Sequence, residues 1–113
     1  MDIQVDELSA NTKCVRLAGR LDMQGSGAIE MRFTALTATD SGNVVVDMGG
    51  VDFIASIGMR LLLSCAKAKA QRGGKLALAA PQTLVREALE TAGIDTLIPI
   101  FADVPGAADA LRV

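Results

Sequence analysis

Apolar positions in this chain recur with two different periods, and the periods alternate. Ile3-Gln4-Val5-Asp6 and Cys14-Val15-Arg16-Leu17-Ala18 alternate at period two, the pattern of strands with one buried face. Ser9-Ala10-Asn11-Thr12 between them is polar turn material, so the pair predicts an antiparallel hairpin. After Gly19-Arg20-Leu21, Asp22 stands where it can cap the next element, and Gly25-Ser26-Gly27 is expected to delay a firm helical start. From about Ala28 to Thr39, Ile29, Phe33 and Leu36 form a helical stripe flanked by Ala28, Met31 and Ala35. Asp40-Ser41-Gly42-Asn43 reads as a loop. Val44-Val45-Val46, closed by Asp47, predicts a strand buried on both faces, and Gly49-Gly50 is expected to break it.

Past Phe53-Ile54 the period changes again. Met59, Leu62, Leu63, Ala66 and Ala70 fall on one helical stripe, with Ser56 as the expected N-cap. Lys67, Lys69 and Arg72 then form a solvated face, and Gly73-Gly74 ends the helix at a left-handed C-cap. Lys75-Leu76-Ala77-Leu78-Ala79 predicts another buried strand. Pro81 opens the next helix, lined by Leu84, Ala88 and Leu89 with Val85 and Ala92 beside them, and Gly93 ends it. Thr96 to Phe101 reads as a strand whose Pro99 confines it to an edge, and Asp103 caps a last helix running to Leu111. The order β-β-α-β-α-β-α-β-α predicts an α/β fold with a mixed sheet: a hairpin, then alternating strands and helices with right-handed crossovers. With 113 residues, one domain spanning 1–113 is expected.

Composition narrows the function. Hydrophobic residues make up 50%, enough for a packed core, but the aromatic share is 3%, with no Trp or Tyr. Few rings and a net charge of −2 argue against a nucleic-acid surface. No apolar run approaches membrane-spanning length and Met1-Asp2 starts no leader, so a cytoplasmic location without membrane insertion is expected. There is no His, which removes the commonest general base and metal ligand. Cys14 and Cys65 lack metal-ligand spacing and read as two small buried hydrophobes. Asp47 and Asp52 are a strand-end and a loop acid, for which capping or solvation outweighs a metal site. Gly19, Gly25 and Gly27 lack the Lys-Ser/Thr of a phosphate loop. No cofactor, metal site or enzymatic activity is expected.

Gly19-Arg20-Leu21-Asp22 and, more heavily, Val44 to Leu63 (VVVDMGGVDFIASIGMRLLL) resemble the STAS domain, the fold of bacterial anti-sigma-factor antagonists. The resemblance covers almost the whole chain and implies a STAS-type mixed sheet. Family members commonly carry Asp-Ser-Ser-Gly or Asp-Ser-Thr-Gly where this chain has Ala55-Ser56-Ile57-Gly58. It implies that Ser56 stands at the family's phosphorylated serine and Gly58 at its glycine, while Ala55 and Ile57 depart from the pattern. The residues alone offer Ser56 as a plain helix N-cap; the resemblance adds a regulatory phosphosite. A nucleophilic role lacks both an activating base and the flanking glycines of a nucleophile elbow. The implied partner is an anti-sigma factor with serine-kinase activity, with a serine phosphatase beside it. The expected docking surface is the loop before Ser56 and the first turns of its helix (Ile54, Ala55, Ser56, Ile57, Gly58, Met59), with Arg20, Asp22 and Arg60 as a polar rim. The competing expectation is an interaction subunit without a switch, serving a transporter or sensory complex.

Overall fold

A computed structural model describes residues 1–112. The elements are β1 (Asp2–Ser9), β2 (Thr12–Leu21), α1 (Met23–Thr37), β3 (Asn43–Ile54), α2 (Ser56–Gln71), β4 (Leu76–Ala79), α3 (Thr83–Thr91), a 3-10 turn (Ile94–Thr96), β5 (Ile100–Phe101) and α4 (Val104–Leu111). The five strands form one mixed sheet in the order β1-β2-β3-β4-β5, with β1-β2 antiparallel and the other pairs parallel. This is the α/β architecture that the alternating periods imply, with β3 at the centre.

The three valines explain that position. Val44 and Val46 point into a core shared with Leu62 of α2, Phe33 of α1 and Leu89 of α3. Val45 points to the other face, where Ala77, Ala79, Ala107 and Leu111 form a second cluster under α4. Successive strand side chains alternate between faces, so a strand covered on both sides must be apolar at every position. The alanines of β4 keep the second cluster thin and let α4 lie close to the sheet.

Several expectations are corrected. Gly49-Gly50 does not break the strand; β3 continues for 12 residues to Ile54. The register against β2 shifts at Arg16/Ala18, and Gly50 lies opposite Ala18 so closely that a Cβ there would stand 2.8 Å from the alanine's own. The glycine permits this irregular contact rather than ending the strand. Likewise α1 starts at Met23, not Ala28, because Asp22 accepts the Gly25 N–H at 2.8 Å and starts the helix early. Gly25 packs against the Arg20 carbonyl where no Cβ would fit, so its small size serves packing. In α1, Ile29 and Phe33 are buried as expected, while Leu36 is only partly covered and Gly25, Ser26 and Thr37 complete the inner face. Pro81 precedes the α3 N-cap, Gln82, and α3 buries Val85 and Leu89 while Leu84 points outward. The stretch 96–101 is strand only at Ile100–Phe101, at the sheet edge. Pro99 has no N–H to give, but its carbonyl accepts from Leu78 at 2.9 Å.

The largest correction concerns α2. Its buried residues are Gly58, Leu62, Cys65 and Lys69, a stripe shifted from the expected one, and Ala70 is exposed. Lys69 is not on a solvated face: its side chain has no exposed area. Its ammonium donates to Asp40 Oδ1 at 2.6 Å and to the Asp40 carbonyl at 2.9 Å. Asp40 also accepts from Lys13 at 3.0 Å. The two ammonium hydrogen bonds, Lys69 first and then Lys13, hold the Asp40 carboxyl down at about 2. The pair ties the end of α2 to the loop between α1 and β3. Gly73 follows α2 in the left-handed conformation, as expected of its C-cap.

Candidate functional site

The end of β3 and the start of α2 make the most distinctive corner of the molecule. Ala55 is extended and its N–H donates to the Leu21 carbonyl at 3.0 Å, which pins the junction to β2. The N-cap is therefore Ala55, and Ser56 is the first helical residue. No side chain caps α2, so the expectation of Ser56 as a capping hydroxyl is overturned. The first N–H groups of α2 have no intrahelical partners and carry the positive end of the helix dipole. Ser56 is exposed among them.

Gly58 sets how deeply α2 sits. A Cβ there would lie 2.8 Å from the Leu21 carbonyl oxygen and 2.9 Å from its Cβ. The glycine brings the first turn of α2 down onto β2 and thereby fixes the height of Ser56.

The other candidate residues separate into two groups. Ile54 is buried and Met59 is partly covered by the core, so both serve packing more than surface. Ile57 is 38% exposed, and Ala55 is partly covered. Phe53, which sequence reasoning missed as a surface residue, is 39% exposed. Its ring carries the Arg20 guanidinium 4.2 Å above it, a cation–π contact between paired positions of β2 and β3. Arg20 Nε also reaches Asp22 Oδ2 at 3.3 Å. The Gly25 N–H, followed by Arg20, lowers the Asp22 carboxyl below its ordinary value, against a smaller opposing effect of burial. The signal for Phe53 was its rarity: it is one of three aromatic residues in the chain.

Arg20, Asp22 and Phe53 thus form a polar–aromatic rim on the β2–β3 ends. Arg60 is exposed one turn along α2 from Ser56. Between α1 and α2 a groove of about 410 Å³ is lined by Ser26, Glu30, Ile57, Arg60 and Ser64, among others. Asp47 accepts from the Gly49 N–H at 2.9 Å, a local capping role as expected, and also lies 3.6 Å from Arg16, while Asp52, expected in a loop, is exposed on β3. Among the described residues, no group of three or more His, Cys, Asp or Glu side chains is arranged to hold a metal ion. Cys14 and Cys65 are buried free thiols, and burial, followed by nearby Asp47, pushes the Cys14 thiol up. No helix among the described residues is long and apolar enough to cross a membrane.

The model of the STAS domain family matches residues 3–107. The chain is 30% identical over 96 residues to BtrV of Bordetella bronchiseptica, a proposed anti-sigma factor antagonist, covering 85% of this chain and 83% of the relative. It is 26% identical over 115 residues to an anti-sigma F factor antagonist of Paenibacillus polymyxa, covering 100% and 98%. The crystal structure of an anti-sigma factor antagonist from Mycobacterium paratuberculosis superposes with a TM-score of 0.87 at 24% identity, covering 99% of this chain and 94% of that one.

Proposed function

Because this chain belongs to the STAS domain family, we propose that it is an anti-sigma-factor antagonist, captured through the start of α2 by an anti-sigma factor with serine-kinase activity and released by phosphorylation of Ser56. The observation that carries the reading is the exposed Ser56 hydroxyl at the first position of an uncapped helix. A phosphate there adds on the order of −1.5 to −2 charges at neutral pH. The open N–H groups and the helix dipole accommodate it within the domain. A partner seated on Ile57 and Phe53, between the Arg20–Asp22 pair and Arg60, must desolvate that charge or lose contact with the surface. A penalty of roughly 3 kcal/mol weakens binding about a hundredfold, enough to free a sigma factor's inhibitor. A serine phosphatase then resets the switch, and the domain acts without catalysis of its own.

Ala55, in place of the family's acid, favours a second reading: the same surface used without a switch, as an interaction subunit. One experiment separates them. Protein recovered from its native cell is weighed intact and mapped for phosphate, and Ser56→Ala and Ser56→Asp variants are used as baits for the same partner. The switch requires phosphate at Ser56, retention of the partner by Ser56→Ala and its loss by Ser56→Asp. Unmodified Ser56 with equal capture by both variants transfers the assignment to the unswitched subunit.

A further inference from the structure

Between Ser56 and Gln71, α2 contains no acidic residue, although the chain as a whole is acidic by two charges. With Lys69 buried, the cations left on its outer surface are Arg60 and Lys67, both exposed. On the side of α2 facing the 3-10 turn, a groove of about 520 Å³ is lined by Leu63, Ser64, Ala66, Ala70 and Leu97, with Arg60 and Lys67 at its border. No acid lines it, and Leu97 stands 67% exposed at its wall. This groove contains no residue of α1; it adjoins the one beside Ile57, with which it shares Arg60 and Ser64.

We infer that this groove docks an acidic amphipathic helix of a partner protein. Leu63, Ala66 and Ala70 lie at i, i+3 and i+7 along α2 and form an apolar strip parallel to its axis. The two alanines are short, so a second helix can approach at close axial distance, with Leu97 closing its far side. Arg60 and Lys67 are seven residues apart, about 10 Å along the helix axis, a spacing that acids two turns apart on the incoming helix match. Such a helix presents apolar residues to the strip and carboxylates to the cations, the usual helix-in-groove arrangement. The same two cations disfavour pairing of this face with itself in a second copy of the chain.

The test is an NMR titration of the isotopically labelled full chain with a synthetic amphipathic peptide carrying leucine at i, i+3 and i+7 and glutamate on its flanks. A matched peptide with lysine for every glutamate is the control. The expected result is saturable shifts confined to Leu63, Ala66, Lys67, Ala70, Leu97 and their neighbours, with the lysine peptide weaker by about tenfold or more. Lys67→Glu, at an exposed position where folding is not at stake, weakens the glutamate peptide by about fivefold or more and improves the lysine one. Ser56→Ala binds the peptide as wild type does, so the result stands apart from phosphorylation. Shifts elsewhere on the surface, equal affinity for the two peptides, or sedimentation showing the groove covered by a second copy overturns the inference.

Discussion

Removing Asp40 should harm the fold more than removing Lys69, although the two are partners. Lys69 has no exposed side-chain area, while Asp40 is 50% exposed. In Asp40→Ala the ammonium remains buried, its contact at 2.6 Å is gone, and only the residue-40 carbonyl at 2.9 Å is left to accept from it. Orphaning a buried charge costs about 3–5 kcal/mol, and the surviving carbonyl puts this case near 3. In Lys69→Met the stem is replaced by a side chain of similar volume and the buried charge disappears. Asp40 keeps Lys13 at 3.0 Å and its contact with water, so the cost is about 1 kcal/mol or less. Urea unfolding of the single and double variants measures both, and the double variant should be no less stable than Asp40→Ala alone, because the second change removes the orphaned charge. If Lys69→Met costs more than Asp40→Ala, or if the two losses simply add, the ion pair does not organise this corner. The pH dependence has a definite sign. The folded Asp40 carboxyl, at about 2, lies below its unfolded value of about 3.8, so its contribution is fully present above pH 4 and is lost as pH falls toward 2. Wild type should therefore lose more stability than Asp40→Ala over that window.

Ser56→Ala should change stability by less than about 0.5 kcal/mol, since the hydroxyl makes no cap; a loss near 1 kcal/mol in a thermal melt would restore the capping role. Gly58→Ala should destabilise by about 1–3 kcal/mol, because its Cβ would meet Leu21, and backbone amide shifts should show the first turn of α2 displaced. Leu84→Ala, at a position 76% exposed, should cost under about 0.5 kcal/mol, whereas Leu89→Ala in the same helix should cost about 2–5. Reversal of that order in chemical denaturation would mean that the phase of α3 on the sheet is wrong.

The amino-acid order by itself determined the β-β-α-β-α-β-α-β-α succession, the valine-rich strand at the centre, the edge position of the last strand and the junction at Ser56. These depend on local periods and on what proline and a two-faced strand allow. Tertiary structure decided which phase each helix adopts. Leu61, Leu62 and Leu63 make α2 apolar around much of its circumference, so the period alone fits more than one stripe, and close contact at Gly58 selects the one that buries Cys65 and Lys69. It also decided what Gly25 and Gly50 do: the first read as delaying a helix and the second as breaking a strand, and both proved to be places where backbone or a side chain from elsewhere comes too close for a Cβ. The cap at Ala55 depends on a hydrogen bond to Leu21, a partner that no sequence window around Ser56 contains. Lys69 is the clearest case. A lysine in a helix reads as solvated, and the carboxylate that makes its burial tolerable lies 29 residues earlier, brought to it only when α1 and α2 pack against the same sheet.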